Sequence, residues 1–475
     1  MKREPTFFEA ISCFIVLGIV IGVGFGIYGI PIQPLLLISA AYAAFIAYRV
    51  GLGWKAMEEG IIKRLTTAMP AIFIIFTVGI IIGTWIYSGT VPMLIYYGLQ
   101  IIDPAYFLVT AFIITAVVSV ATGTAWGSVA TAGVALIGIA MELNVPLGIA
   151  AGAIISGGVF GDKLSPLSDT TNLAALVVQV NLYDHIKHML WTTVPASLVG
   201  LIVWFFVGIN IDYSTGSTGG RTGLTEELSM IFDWNIFMLL PFIFVLWGAM
   251  AKKPVVPMML LSSVVAVLIG IFSNGFSLVN GITAMADGFS IGMVEAANFN
   301  PDNLSESVIS LITRGGLFSM TTIVVTIFCG YAFAGIVEAS GCLNKILSTF
   351  SSSIQSTWQL VGITVLSSLI IVLTAGVASV AIIMVGVLLQ DAYTEKGLHH
   401  KNLSRSLEDS STMILPLVPW GVSGIYYMEV LEVSVADYWI WAIPCYLCIV
   451  FAMINASTGL GIAKSRSSNE VLDTK

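Results

Sequence analysis

Apolar and polar positions in this chain vary on a long wavelength. Apolar runs fall at 8–29, 31–48, 68–87, 106–122, 126–141, 146–180, 190–211, 235–251, 255–272, 317–340, 358–375, 378–390, 406–428 and 438–455. A helix needs roughly 20 apolar residues to cross a bilayer, and most of these runs approach or exceed that length. Several are short or interrupted. Only helices and closed barrels satisfy their backbone groups in lipid, and no strand-like alternation is present. The pattern predicts an all-α polytopic membrane protein with about 11–14 membrane segments.

Composition agrees. The chain is 57% hydrophobic and 10% charged, against about 25% charged for a soluble domain. The net charge of −8 decides little, because membrane proteins use charge by location. Lys2, Arg3, Arg49, Lys55, Lys63, Arg64, Lys187, Lys252, Lys253, Lys345, Lys396, Lys401, Arg405, Lys464 and Arg466 mark one set of turns and both termini as cytoplasmic. The stretches 88–105, 212–234, 273–316 and 429–437 are nearly free of Lys and Arg and read as external loops. Within them, 277–298 has the pattern of an amphipathic helix at the interface. The first apolar run is expected to stay as a span rather than be cleaved. Cys445 and Cys448 form C-x-x-C inside an apolar run and read as packing residues. His185, His188, His399 and His400 fall in basic turns and read as solvated. The location expected is the cytoplasmic membrane.

Two parts of the chain resemble each other. GTWIYSG at 83–89 matches GIVEASG at 335–341 as G-x-x-x-x-S-G, offset 252. Thr122 falls opposite Thr374 at 252, and SPLS at 165–168 opposite LPLV at 415–418 at 250. The loop charges give the two halves opposite senses, so the pattern is an inverted-topology repeat of the kind found in secondary transporters. The expected organisation is 1–56 as N-terminal spanning helices and 57–211 as the first repeat. Residues 212–305 follow as external loops and two connecting spans, 306–437 as the second repeat, and 438–475 as a last span and tail.

In such repeats, broken helices at matching places build the midplane site. Here these are 157–175 and 406–424. In the first, Gly157, Gly158 and Gly161 loosen the helix and Pro166 breaks it. The freed carbonyls, with Ser165, Ser168, Thr170, Thr171 and Asn172, suit a small hard cation. Asp162 and Asp169 add negative charge, and Lys163 is a charge partner that keeps one of them ionised. Each charge near the bilayer centre costs about 2.5–3.5 kcal/mol on insertion scales, so three in eight positions imply partners or a role. Two other readings stay open: a local Asp162–Lys163 ion pair, or the whole segment as a cytoplasmic loop. The second segment repeats the design with Glu408, Asp409, Ser410, Ser411 and Thr412. Its bland reading makes the two acids helix N-terminal residues. The tracts around Thr122, Thr124, Ser128, Thr374 and Ser379 are either close-packing positions or further site oxygens. Glu338 is either a proton-linked group or an interface residue.

GDKLSPLSDTTNLA at 161–174, TGTAWGS at 122–128 and LEDSSTMILPLVPWG at 407–421 resemble the NhaC family of Na+/H+ antiporters over nearly the whole chain. The resemblance implies a secondary antiporter with Na+ (or Li+) and H+ as transported ions and no cofactor. It is not an enzyme. Some relatives also exchange carboxylates, such as malate against lactate. The expected mechanism has cation and proton compete for one midplane carboxylate, Asp169 in preference to Asp162, since a nearby cation and desolvation push its protonation in opposite directions. A carboxylate antiporter of the same fold is the main alternative, with Trp126 and Trp420 walling the pocket; a channel and a membrane enzyme are the remote ones. Expected partners are small cations, carboxylates as a second class, and the bilayer, with no nucleic acid and a homodimer allowed for.

Overall fold

The computed structural model describes residues 3–25, 27–211, 226–251, 253–295, 299–301, 304–351 and 356–465. In chain order the main helices are α1 (Phe7–Gly24), α2 (Ile32–Arg49), α3 (Trp54–Tyr87), α4 (Thr90–Ile101), α5 (Phe107–Thr122), α6 (Ala125–Ser128), α7 (Val134–Glu142), α8 (Leu147–Leu164), α9 (Asp169–Val177) and α10 (Leu182–Asn210). There follow α11 (Leu240–Met250), α12 (Val255–Asn274), α13 (Leu278–Asp287), α14 (Thr321–Ala339), α15 (Cys342–Ser351), α16 (Thr357–Ala375), α17 (Ala378–Glu395), α18 (Lys401–Ser410), α19 (Val422–Leu431) and α20 (Ile443–Thr458). Among the described residues eleven helices are long and apolar enough to cross a membrane. A pair bent by 43°, Lys401–Leu417 with Val422–Leu431, makes a twelfth. The chain is an all-helical multi-pass membrane protein.

Local chemistry sets the ends of these helices. Thr6 and Glu9 close a reciprocal capping box on α1. Asn181 caps α10 by accepting from the Tyr183 and Asp184 amides. The stretch 88–105, read as a loop, contains the helix α4 instead. Its twelve residues were too few to read as a span. The stretch read as an amphipathic helix is helical over its first part only, as α13, with Leu278, Val279 and Ile282 exposed and Gly281 and Ala284 buried; residues 296–298 of that stretch lie outside the described residues, as do 212–225 of the long loop before it.

The two halves share backbone detail. α3 and α14 each end at a serine followed by a left-handed glycine, Gly89 and Gly341, both at φ 81°. Ser88 and Ser340 each turn their hydroxyl back onto the helix, to the Trp85 and Val337 carbonyls. α5 and α16 each end at a left-handed glycine, Gly123 and Gly376, before an extended residue starts the next helix. α9 and α19 run out at Gln179 (φ 57°) and Glu432 (φ 56°), two of three non-glycine left-handed residues described. α3 and α14 cross antiparallel: Gly60 lies against Gly335 and Ala339, and Gly79 against Gly316 and Met320.

These coincidences refine the repeat register. The glycine pair after α3 and α14 keeps the offset of 252, but the later pairs stand 253 apart. Thr122 therefore falls opposite Ala375 rather than Thr374. SPLS at 165–168 falls opposite VPWG at 418–421, so Pro166 pairs with Pro419, and the caps of α9 and α19 are Ser168 and Gly421. The LPLV match was a chance likeness three residues upstream.

Candidate ion-binding site between two interrupted segments

A cavity of about 330 Å³ lies where the two halves meet. Its lining includes Thr124, Trp126, Val159, Asp162, Asp169 and Thr170 from one half. The other half contributes Val377, Ser379, Thr412, Leu415, Val422, Ser423 and Tyr427, with Tyr331 from α14 and Pro70 from within α3. Trp126 ties the walls together: its Nε1 donates to the Ser423 hydroxyl at 3.0 Å, its ring stacks on Tyr426 at 4.8 Å, and the Tyr426 hydroxyl donates to its carbonyl at 2.9 Å. Trp420 is elsewhere. It donates to the Leu373 carbonyl and borders a separate small gap.

The first break is shorter than expected. α8 is helical through Leu164, and only Ser165–Ser168 interrupt it before α9. Gly157 and Gly161 do not loosen it. They let α8 lie against α5, where a Cβ would meet Phe112 and Thr115, or Ala116 and Ser119. Most small polar residues here tie off the break's own backbone. Ser165 donates to the Val120 carbonyl at 2.8 Å, and Thr171 to the Lys163 carbonyl at 3.0 Å. Asn172 donates to the Pro166 and Ser168 carbonyls at 2.8 and 2.6 Å. Ser168 caps α9 by accepting from the Thr171 amide. These carbonyls were expected to be free for a cation, and each already accepts a hydrogen bond.

The two aspartates differ. Asp169 is exposed at the first position of α9, where its Oδ1 accepts from the Thr170 amide at 2.9 Å. Asp162 is 9% exposed, and its buried Oδ1 has no hydrogen-bond partner. The Ser168 hydroxyl and the Ala125 amide are its near dipoles, and Asp169 and Glu408 are acids within electrostatic reach of it. Lys163 serves neither of them. One helical step turns it away from the cavity, to an ion pair with Asp409 in which both side chains are fully buried. The local Asp162–Lys163 pair therefore does not form.

The second segment is arranged differently. α18, sequence KNLSRSLEDS, is buried from Asn402 to Ser410. Glu408 and Asp409 sit at its C-terminal end, not its N-terminal end. The macrodipole disfavours acids there by roughly 0.3–1 kcal/mol, so they depend on tertiary partners. Asp409 has Lys163 and the Thr192 hydroxyl at 2.9 Å. Ser410 and Ser411 donate back to the Ser406 and Leu407 carbonyls. Thr412 is the residue of this group that reaches the cavity. His185 and His188, read as solvated, are buried against the same helix, on Ser404 and Asn402. Their basic turn continues into α10, which packs on α18.

The remaining candidates separate. Thr124 lines the cavity and caps α6. Thr122 lies beside it, facing a different gap with Thr131. Ser128 donates to the Ala125 carbonyl within its own turn. Glu338 pairs with Arg64 and with Lys63 at 3.6 Å across the α3–α14 crossing, away from the cavity. Cys445 and Cys448 are free and buried in α20. Sequence reasoning missed Tyr331 and Tyr427. The Tyr331 hydroxyl is buried without a partner, and a lone phenol in the apolar run of α14 was the signal.

The family model described as Na+/H+ antiporter family matches residues 157–460, which includes both breaks and most of the cavity wall. An uncharacterized Na+/H+ antiporter of Haemophilus influenzae is 41% identical over 97% of this chain and 98% of its own length. The Na+/H+ antiporter NhaC of Alkalihalophilus pseudofirmus is 34% identical, over 92% of each chain. The malate-2H+/Na+-lactate antiporter of Bacillus subtilis is 35% identical, over 96% of each. The chain belongs to the NhaC-type Na+/H+ antiporter family.

Proposed function

We propose that the protein exchanges Na+ for H+ across the cytoplasmic membrane, and that Asp162 is the carboxylate for which the two ions compete. The observation that carries this reading is the buried, unpartnered Asp162 Oδ1 on a cavity walled by both interrupted segments. A buried carboxylate with one oxygen left without a donor is costly, so that oxygen takes up either a proton or a cation. Hydroxyls of Thr124, Thr170, Ser379, Thr412 and Ser423 line the same cavity and supply neutral hard oxygens, suited to Na+ or Li+. Asp169, exposed at the mouth, draws cations in and raises the affinity of its neighbour for positive charge. The halves 57–211 and 306–437 act as inverted repeats that rock about this point; their matched glycines and the antiparallel α3–α14 crossing support that motion. Both termini are cytoplasmic, in keeping with the contacts made within each proposed side. Arg3 pairs with Glu9, and the 397–402 turn bonds to the tail at Ala463 and Ser465.

A second reading rests on size. The cavity has room well beyond one dehydrated cation, and the malate/lactate relative moves carboxylates. An organic anion would then ride with the bound cations against Trp126. Against it, the described lining holds two carboxylates and no Lys or Arg.

The test uses proteoliposomes with a pH-sensitive dye. Asp162→Asn is expected to abolish Na+-driven proton movement and Asp169→Asn to weaken its apparent Na+ affinity. Undiminished exchange in Asp162→Asn would refute the site. Labelled malate and lactate uptake, with and without Na+, decides the second reading.

A further inference from the structure

A second space, of about 810 Å³, borders the arm that brings Thr124 and Trp126 to the ion cavity. Four elements wall it: α4, α5, the arm itself, and residues 234–242 leading into α11. The arm contributes Ala132 from a π-helical turn, Val129–Gly133, and then Ala135, Leu136 and Ile139 from α7. These four and Met93 of α4 form a buried, wholly apolar inner wall. Tyr97, Ile101 and Ile236 form an exposed rim. The space is therefore a groove that opens on the lipid-facing side of the helices.

Its chemistry and depth select the occupant. An apolar cavity of about 150 Å³ already stays dry and takes up hydrocarbon instead of water, and the hydrocarbon at hand in a bilayer is a lipid chain. Tyr97 and Trp234 are amphipathic rings of the kind that settle at headgroup level; Trp234 donates its Nε1 to the Ser229 hydroxyl at 2.9 Å. Val118 is the furthest α5 residue in the lining. It stands 11 residues beyond Phe107, roughly 16 Å along the helix, which matches one leaflet of a hydrocarbon core about 30 Å thick. Charge then selects the headgroup. No Lys or Arg occurs between positions 65 and 162 or between 226 and 251, so no wall carries a positive charge. Asp103 follows the lining residue Ile102, Asp233 precedes Trp234, and both acids are exposed. Arg314, which reaches α7 at Met141, is paired with Glu432. Acids at the rim repel an anionic headgroup and favour an ammonium that donates to carboxylate oxygens.

We propose that this groove is a binding site for one acyl chain of an ethanolamine phospholipid, whose amine sits at Asp103 and Asp233. The chain packs on Ala132 and Ala135, and so braces the arm that presents Thr124 and Trp126 to the ion cavity. Walls from four elements hold it, which sets it apart from the shell of lipid around the helices. Detergent strips that shell and leaves the chain in the groove.

The experiment counts retained lipid. The protein is reconstituted in equal parts phosphatidylethanolamine, phosphatidylglycerol and phosphatidylcholine, extracted again into detergent, washed, and weighed by native mass spectrometry. Wild type is expected to keep one phosphatidylethanolamine per chain, about tenfold over either other lipid, since only its headgroup offers an ammonium N–H to the acids. Val118→Trp fills the groove from α5 and is expected to lose the lipid. Leu94→Trp fills it from α4 and takes its place if Val118→Trp does not fold. Added phosphatidylethanolamine is expected to raise the thermal midpoint of wild type, and not that of the filled variant. Asp103→Asn with Asp233→Asn is expected to keep one lipid but to lose the preference for ethanolamine. Wild type that keeps no lipid, or keeps phosphatidylglycerol or phosphatidylcholine equally well, overturns the proposal. So does a folded filled variant that keeps phosphatidylethanolamine as wild type does. If neither filled variant folds, the choice among the three lipids by wild type decides.

Discussion

Corresponding positions in the two halves of the cavity carry different chemistry. At a spacing of 253, Thr124 stands opposite Val377, Trp126 opposite Ser379, Val159 opposite Thr412, Asp162 opposite Leu415, Asp169 opposite Val422, and Thr170 opposite Ser423. All of these residues line the cavity. The backbone is repeated and the charge is not. The first half puts its acids on the wall. The second half puts Leu and Val there and sets its acids, Glu408 and Asp409, one turn further back. The breaks differ in the same sense. The first satisfies its own backbone with Thr171 and Asn172, while Ser165 reaches the Val120 carbonyl of α5; in the second the Pro416 carbonyl takes the Tyr438 hydroxyl, and the Asp409 carboxylate takes Lys163 and Thr192. Like carboxylates at both symmetric positions would repel across a narrow, poorly screened space. Moving one pair behind the wall, under the control of a lysine from the other half, avoids that.

The largest expected effect comes from cutting that cross-half dependence. Lys163→Met leaves Asp409 sealed with only the Thr192 hydroxyl. Removing one member of a buried pair costs about 3–5 kcal/mol, so folded protein in detergent size-exclusion chromatography is expected to fall sharply. Lys163→Met with Asp409→Leu removes both charges and is expected to recover most of the folded yield. A well-behaved Lys163→Met alone would mean that the second half holds its own charges, and the contrast between the breaks would vanish.

The legible part of this architecture was what long apolar runs and Pro-centred polar clusters reveal: the helices and the place of the first break. α18 was not legible. KNLSRSLEDS carries charge at four of its ten positions and reads as a solvated helix start. Only partners distant in sequence, Lys163 on α8, His185 and His188 on α10, and the tail at Gly461 and Ala463, bury it. The same reason hid the two histidines. The register of the later repeat pairs was blurred because Ser, Gly and Pro matches are frequent in membrane helices. The feature that fixes it is a set of left-handed residues, including Gln179 and Glu432, that no residue type announces. The preference for Asp169 over Asp162 followed from counting hydroxyls nearby. Those hydroxyls turn out to be engaged with the backbone, and burial distinguishes the two acids instead.

A smaller effect tests how each break satisfies its backbone. The Tyr438 hydroxyl donates to the Pro416 carbonyl at 2.5 Å, both fully or largely buried. Tyr438→Phe strands that carbonyl, a loss of about 1–3 kcal/mol, and a lower thermal midpoint is expected. Asn172→Ala also removes a donor from a proline carbonyl, but Asn172 and Pro166 are exposed. Water replaces the amide there, so a drop under about 1 kcal/mol is expected. Equal drops in a paired thermal-shift measurement would show that the first break is as sealed as the second.

The smallest expected effect concerns Glu338, the acid in an apolar run that the cavity does not use. Its carboxylate bridges Arg64 and Lys63 where α3 crosses α14. The crossing is held chiefly by close backbone approach at Gly60 and Gly335 and at Gly79 and Gly316, which an amide leaves intact. The Glu338 side chain is 29% exposed and Lys63 77%, so water screens that pair, and the buried Arg64, at 7%, still finds an amide oxygen to donate to in the glutamine variant. Glu338→Gln is expected to cost no more than about 1 kcal/mol and to leave the Na+/H+ exchange rate and reversal point as in wild type. On the proposed reading, ion coupling belongs to the acids on the cavity wall. A loss of exchange in Glu338→Gln as deep as that in Asp162→Asn, with the protein still folded, would extend coupling to the α3–α14 crossing and break that rule.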